Sequence, residues 1–392
     1  MKTYQLIVFL AVVFSVYFLG NAYIFIKAYN AIPGVKENRT LYTVIFIAIA
    51  LTFIVAKILE ARHSNVFSDI LNIIGGFWLA FLVYGFFFFL FADIVGLLLR
   101  ITGLIDQQNF HHYKQWSFII TISLSAVLIT GGFINALVPK VREYNVTIPK
   151  RAEGVDNLKV AAVSDIHLGS IIRKRSMKKL SEMLAEIKPD AVFLLGDIID
   201  GEMGPVLRGD LLKYFKIPVT NDGLYAITGN HEFIGGAKRT IPYIESKGIR
   251  VLKDEMVILP GGIQLIGRLD RDSKRFYQKE RMPLEILMKN VDHKRPVILL
   301  DHQPVNLEEA VKNGVDLQLS GHTHNGQFWP LNYFTNAIYE VSYGYRKKDN
   351  TQIIVSSGFG IWGPRIRSAS RSEVIVLNIG FKEAGPQSES SF

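Results

Sequence analysis

The chain contains no cysteine among its 392 residues. That absence excludes disulfides, thiolate metal sites and a cysteine nucleophile, and it leaves the redox compartment open. Charge is scarce in the first 150 residues, which hold eleven Lys and Arg against six Asp and Glu, a net of +5. The remaining 242 residues hold 33 basic and 29 acidic side chains, a net of +4. This near balance leaves no large basic face, so no nucleic-acid partner is expected.

Polar residues are nearly missing from four stretches: Tyr4 to Ile26, Leu41 to Ala56, Leu71 to Leu99 and Trp116 to Val138. A soluble helical bundle would need polar faces on these helices, and they have none. A bilayer core about 30 Å thick takes about 20 apolar residues of helix. The second stretch reaches that length if it runs to Leu59 with Lys57 snorkelling. The third must tilt or extend past the interface. The expected spans are therefore residues 4–26, 41–59, 71–99 and 116–138, in a transmembrane region that ends at 140, with the lipid bilayer as a partner. Tyr4, Tyr42 and Trp116 stand near span ends, where aromatic anchors sit. The first stretch is too long for a cleavable signal, and three more follow it.

Four spans return the chain to its starting side. Seven basic residues flank that side (Lys2, Lys57, Arg62, Lys140, Arg142, Lys150, Arg151), against five opposite (Lys27, Lys36, Arg39, Arg100, Lys114). The positive-inside rule then favours a cytoplasmic C-terminal domain, with the outer face as the alternative. Asn21 and Asp93 are the polar residues to weigh inside the spans, and Asp93 reads as an interface residue of the long third span. His111 and His112 read as a solvated loop.

Residues 141–157 read as a linker with a short extended stretch, Tyr144 to Ile148. Over 158–381 the pattern is α/β. Leu158 to Val163, Ala191 to Leu195 and Leu224 to Ile227 read as strands, and Lys174 to Ile187 as a helix with Met177, Leu180, Met183, Leu184 and Ile187 on one face. Helices come early and strands dominate late, which favours two packed β-sheets flanked by helices over one doubly wound sheet. Residues 382–392, rich in Gly, Pro and Ser, read as a disordered tail.

Polar clusters follow these strands in order: Asp165-Ile166-His167, Gly196-Asp197-Ile198-Ile199-Asp200, Gly229-Asn230-His231-Glu232, Asp301-His302 and Gly321-His322-Thr323-His324. Residues two apart at a strand end face the same way. Five of the nine histidines lie in these clusters. Three clusters open on a glycine, which permits a tight turn. Nitrogen and oxygen donors without sulfur suit Mn, Fe or Zn, and about seven donors suit two ions rather than one.

The ordered set D-x-H, G-D-x-x-D, G-N-H-E, H and G-H-x-H resembles the calcineurin-like metallophosphoesterase superfamily. Ser-Asp-Ile-His-Leu-Gly, Leu-Ser-Gly-His-Thr-His-Asn-Gly-Gln and Trp362-Gly363-Pro364 resemble its bacterial membrane-associated phosphodiesterase branch, with Asn325 where that branch often has glycine. The resemblance implies a four-layer αββα domain and two divalent or trivalent metal ions. It implies Asp165, His167 and His324 on the first metal, Asn230, His302 and His322 on the second, and Asp197 bridging both. A hydroxide between the metals would attack phosphorus, and His231 would protonate or stabilise the leaving oxygen. Asp200 and Asp301 read as carboxylates orienting ligand imidazoles, Glu232 as a structural hydrogen-bond partner, and Arg365 and Arg367 as phosphate-binding residues, with a solvated basic loop as the alternative.

The expected activity is hydrolysis of a phosphodiester or phosphomonoester. The membrane region suggests a lipid-linked phosphate as substrate. Two rivals share the fold: a nuclease or cyclic-nucleotide phosphodiesterase, and a non-catalytic membrane sensor. A transporter with a regulatory domain would need polar residues lining the spans, for which only Asn21 and Asp93 qualify.

Overall fold

The computed structural model describes residues 3–216, 220 and 222–382, so the expected tail lies, beyond residue 382, outside the described residues. The chain divides into two compact units: residues 1–134 with the loop 363–366, and residues 135–362 with 367–392.

The helices are α1 (Thr3–Ala31), α2 (Arg39–His63), α3 (Val66–Ile101) and α4 (Gln107–Leu137). All four are long and apolar enough to cross a membrane, which marks the chain as a membrane protein. Their polar ends extend beyond the apolar runs. At the start of α3, Asn65 and Ser68 form a reciprocal capping box, so the helix begins at Val66. Before α4, Asp106 Oδ1 accepts the Asn109 N–H at 2.7 Å. That side-chain acceptor satisfies an orphan N–H of the first turn, and His111 and His112 lie in α4 rather than in a loop.

The two polar residues singled out in the spans tie helices together. Asn21 donates to Tyr17 O at 2.8 Å and accepts from Trp78 Nε1 at 2.9 Å. Asp93 pairs with Lys27 and accepts the Tyr23 hydroxyl at 2.5 Å. Glu60, unremarked in the sequence, is buried and takes Lys57 and Asn72, each at 2.8 Å.

The strands are β1 (Lys140–Ile148), β2 (Asn157–Val163), β3 (Ala191–Leu194), β4 (Leu224–Ala226), β5 (Arg250–Val251), β6 (Glu255–Leu259), β7 (Ile263–Gly267), β8 (Val297–Leu300), β9 (Leu317–Ser320), β10 (Gly344–Lys348), β11 (Thr351–Val355) and β12 (Glu373–Phe381). They form two six-stranded sheets, ordered β1-β12-β2-β3-β4-β5 and β10-β11-β9-β8-β7-β6. β1 occupies much of the stretch read as a linker and pairs in parallel with all of β12, from Lys140↔Glu373 to Ile148↔Phe381. It is an edge strand that buries only Val146 and Ile148, so only its second half alternates, and it lacks the continuous burial of β3, β7, β8, β9 and β11.

Alternation along β2 shows how the layers form. Leu158, Val160 and Ala162 face an inter-sheet core with Phe193, Leu265, Ile298, Leu319 and Leu377. Ala161 and Val163 face outward to Met177, Leu180 and Leu184 of α5 (Lys174–Ile187). On the far sheet, Ile266, Val297 and Leu299 pack against Leu284, Met288 and Ala310 from short helical segments. The result is the expected αββα sandwich. Each fully buried leucine contributes about 1.5–3 kcal/mol relative to exposure.

β2, β3 and β4 run parallel, and so do β8, β9 and β11. Their carboxyl ends therefore release loops along one edge of each sheet, where ligands of α/β sheets bind.

Candidate metal centre

The five polar clusters occupy loops after β2, β3, β4, β8 and β9. Asp165, His167 and His324 offer donor atoms within 4.8 Å of one another, and so do Asp197, His302 and His322. Asn230 Oδ1 lies 2.9 Å from His322 Nδ1. Asp197 Oδ2 is 3.8 Å from His167 Nε2 and 3.2 Å from His302 Nε2, so one carboxylate faces both groups. Its other oxygen accepts the His231 N–H at 2.8 Å.

The backbone is bent to make this possible. Asp165, His167, Asp197, His322 and His324 all have positive φ, between +49° and +72°. Each costs about 1–3 kcal/mol in a non-glycine residue and persists only where its surroundings enforce it. The enforcing bonds include Asp165 N–H to Gly196 O at 3.1 Å and His167 N–H to Asp197 O at 2.9 Å. Two leading glycines serve a purpose other than the expected turn. A Cβ on Gly229 would sit 2.1 Å from Asp197 Oδ1, and one on Gly321 would sit 1.8 Å from Ser164 Oγ. Gly229 lets the loops after the paired strands β3 and β4 touch, and Gly321 brings the loop after β9 against the loop after β2 of the other sheet.

The donor set fits cations. His167 Nε2 and His324 Nε2 face each other at 3.0 Å. The buried His302 Nε2 makes no hydrogen bond despite its approach to Asp197. Imidazole and carboxylate lone pairs thus converge with few protons between them, an arrangement a cation satisfies. Outer contacts aim the rings: His167 Nδ1 meets Asp200 Oδ1 at 3.0 Å, and His302 Nδ1 meets Leu195 O at 2.6 Å. His324 differs, because its Nδ1 faces Arg367 Nη2 at 3.0 Å. Arginine only donates, so Nδ1 accepts and the ring proton sits on Nε2, towards Asp165 Oδ1 at 3.3 Å. A cation at Nε2 needs the lone pair there, so its binding would move the ring proton to Nδ1 and the Arg367 N–H off that nitrogen.

Burial pushes His322 and His324 down to about 4, which keeps them neutral near pH 7. Burial alone would raise Asp165 and Asp197, but neighbouring histidines hold both below the ordinary carboxylate range. Burial, then the Asp197 charge, push Glu232 up to about 7 against the backbone N–H groups it accepts.

Residues 158–326 match the family model of the calcineurin-like phosphoesterases. An uncharacterized metallophosphoesterase of Aquifex aeolicus is 34% identical over 244 residues, covering 61% of this chain and 91% of the relative. The chain belongs to the calcineurin-like metallophosphoesterases. A Campylobacter jejuni metallophosphoesterase, also uncharacterized, is 28% identical over 382 residues, 96% of this chain and 99% of its own. That alignment takes in most of the membrane region. UDP-2,3-diacylglucosamine pyrophosphatase LpxG of Chlamydia muridarum is 23% identical over 325 residues, 66% of this chain and 96% of its own.

Within this metallophosphoesterase, three residues differ from their sequence reading. Asp301 orients no imidazole among the described residues. Its carboxylate instead takes Arg281 at 3.0 Å and Arg268 at 3.2 Å, both too distant in sequence to foresee. Arg365 belongs to the other unit, where its guanidinium lies over the Phe133 ring, 5.7 Å from the centroid. Arg367 is fully buried and cannot meet a substrate phosphate. It donates to Gly360 O and to Ser370 Oγ at 2.8 Å, and it backs His324.

Two features escaped sequence reasoning. Asp270 is buried just after β7, accepts Gln303 Nε2 at 3.0 Å, and is pushed up to about 6 by burial. The rule that found the other strand-end carboxylates would have found it too. The helix Leu331–Ile338 was also missed, although it helps line the cavity of about 450 Å³ into which His231, His322 and Asn230 open.

Proposed function

We propose that this chain is a membrane-anchored, dinuclear metal-dependent phosphoesterase acting on a lipid-linked phosphate. The observation that carries the reading is the Asp197 carboxylate facing two histidine groups at once. Asp165, His167 and His324 would hold one ion, Asn230, His302 and His322 the other, and Asp197 both. Nitrogen and oxygen donors favour Mn, Fe or Zn. Two such ions supply Lewis acidity towards phosphoryl oxygens and lower the pKa of water for attack.

The protein's own groups do the rest. Asp200 holds the His167 ring in orientation. The loop after β4 presents His231 to the cavity beside Asp197, a position suited to an acid that protonates the leaving oxygen. Two facts support the lipid-linked substrate: the four membrane-crossing helices, and a relative whose name gives a diacylated sugar nucleotide as its substrate. The excess of flanking basic residues supports a cytoplasmic catalytic domain.

The test is turnover of the full chain with and without chelator, on aryl phosphate esters and on phospholipids and lipid phosphates in mixed micelles. Metal-dependent turnover with preference for the lipid substrates is expected; a strong preference for soluble nucleotides would sink the substrate class. His231→Asn should lower kcat by about 10²–10⁴-fold while metal content holds. The loss should shrink for 4-nitrophenolate, a leaving group that needs no proton, and an equal loss on every ester would refute the acid role. For orientation, Asn350→Cys places a single thiol on an exposed turn. An impermeant maleimide should leave it unlabelled in intact cells and label it after lysis.

A further inference from the structure

We propose that the cavity-facing side of the helix Leu331–Ile338 binds the hydrocarbon chain of an amphiphilic phosphate ester, a reading that rests on the phosphoesterase function above. The helix is rich in large apolar residues, yet none of its residues is buried. Tyr333, Phe334 and Ile338 are 63%, 60% and 73% exposed. Phe334 and Ile338 stand with Leu331 and Trp362 around one cavity, and a contiguous exposed apolar patch marks a binding groove where scattered residues would not.

The helical period selects the covered side. Leu331, Phe334, Thr335 and Ile338 stand at i, i+3, i+4 and i+7 and so share one face. All four line the cavity that also holds His231 and His322. The next residue, Tyr339, sets its ring edge-on to His322, with centroids 6.1 Å apart. Trp362, half-exposed, lines the same cavity, and its carbonyl accepts Gln327 Nε2 at 2.9 Å. The apolar wall therefore begins one ring away from a proposed ligand. A helix of eight residues is about 12 Å long, enough to run beside several methylenes.

The lining also argues against a sugar or nucleotide moiety along this wall. No lysine or arginine lines the cavity among the described residues. The helix face offers one hydroxyl, Thr335, to a polar group, and aliphatic Leu331 and Ile338 stand on either side of Phe334. Such a wall rewards area removed from water rather than hydrogen-bonding pattern.

The test uses the full chain in phosphatidylcholine nanodiscs with alkyl 4-nitrophenyl phosphodiesters from methyl to octyl, each kept below its micellar concentration. On the wild type, kcat/KM should rise about twofold per added methylene, roughly half-burial of each group. In Phe334→Ser/Ile338→Ser, two exposed positions, that slope should flatten while thermal unfolding stays in place. Ile258→Ser removes an equally exposed apolar residue of β6 that does not line the cavity, and it should keep the slope. A flat wild-type series with hydrolysis intact overturns the proposal. So does an unchanged slope in the double variant, which would trace the chain-length effect to partition into the disc, or an equal flattening in the Ile258 control, which would show that it is not specific to the helix. Faster turnover of a nucleoside ester than of the octyl ester also overturns it. Failure to hydrolyse any ester of the series would instead bring down the phosphoesterase reading beneath it.

Discussion

Asp197→Asn is expected to remove hydrolysis and to cut cation affinity by about 10²–10⁴-fold. The substitution keeps shape and removes one negative charge. Asp197 Oδ2 lies 3.2 Å from His302 Nε2 and 3.8 Å from His167 Nε2, and the residue is buried. In the proposed reading this one carboxylate neutralises both ions, so its loss is felt at both. Removing one partner of a buried charge pair costs about 3–5 kcal/mol, which is the stated range in affinity. The fold should survive, because the asparagine Oδ1 can still accept the His231 N–H that Asp197 Oδ1 accepts now at 2.8 Å. Metal content by mass spectrometry should fall from two ions per chain to one or fewer, in parallel with kcat/KM. Two retained ions, or retained turnover, would refute the shared carboxylate. A drop in metal content with a collapse of the thermal transition would mean that Asp197 holds the loop and not the ions.

The strand-end clusters were legible in the sequence for a physical reason. A rigid sheet can hold donors only where its strands stop, so apolar runs ending in Asp, Asn or His announce themselves. Asp165, His167, Asp197, Asn230, His302, His322 and His324 were all placed this way, and they do converge. What the pattern does not carry is three-dimensional pairing. Asp301 and His302 are adjacent in sequence, yet one carboxylate goes to Arg268 and Arg281 while the neighbouring imidazole goes to Leu195 O. Arg365 and Arg367 are two apart, yet one stacks on Phe133 and the other is sealed behind His324.

Backbone strain was equally hidden. Nothing in the identity of Asp165 or His322 announces a positive φ, and the glycines that do announce flexibility are used at Gly229 and Gly321 for close approach. Edges were lost for lack of contrast. β1 is an exposed strand with only two buried residues, and α3 and α4 begin with polar turns that hydropathy excludes. The missed helix Leu331–Ile338 carries a clear helical stripe, but it was passed over because its apolar face belongs to no core.

Glu232→Ala should destabilise the catalytic unit more than any other single change at the site. The side chain is fully buried, and its carboxylate accepts four backbone N–H groups: Asp197 at 3.0 Å, Ile198 at 2.8 Å, Ile199 at 3.0 Å and Gly229 at 2.7 Å. The first three belong to the loop after β3, and Gly229 to the loop after β4. Alanine leaves these donors without their acceptor in a place water does not reach, at about 1–3 kcal/mol for each one left orphaned. Part of that is offset. Burial and the Asp197 charge already push Glu232 up to about 7, so removing it relieves desolvation and repulsion. A net loss of about 3–5 kcal/mol remains, a large fraction of the 5–15 kcal/mol typical of a domain. At about 2–4 °C per kcal/mol for a unit of this size, Tm should fall by roughly 10–15 °C. Glu232→Gln should lose less, since its amide oxygen still accepts from the loop while its NH₂ faces one or two of the same donors. Scanning calorimetry of the full chain in detergent decides between these outcomes. If alanine leaves the transition of the catalytic unit unmoved, the carboxylate is not what ties the two loops. The strain stored at Asp197 must then be held by the backbone bonds alone. If the transition falls as expected while His231→Asn, one residue away, leaves it in place, structure and chemistry separate between neighbours: Glu232 builds the loop that His231 uses.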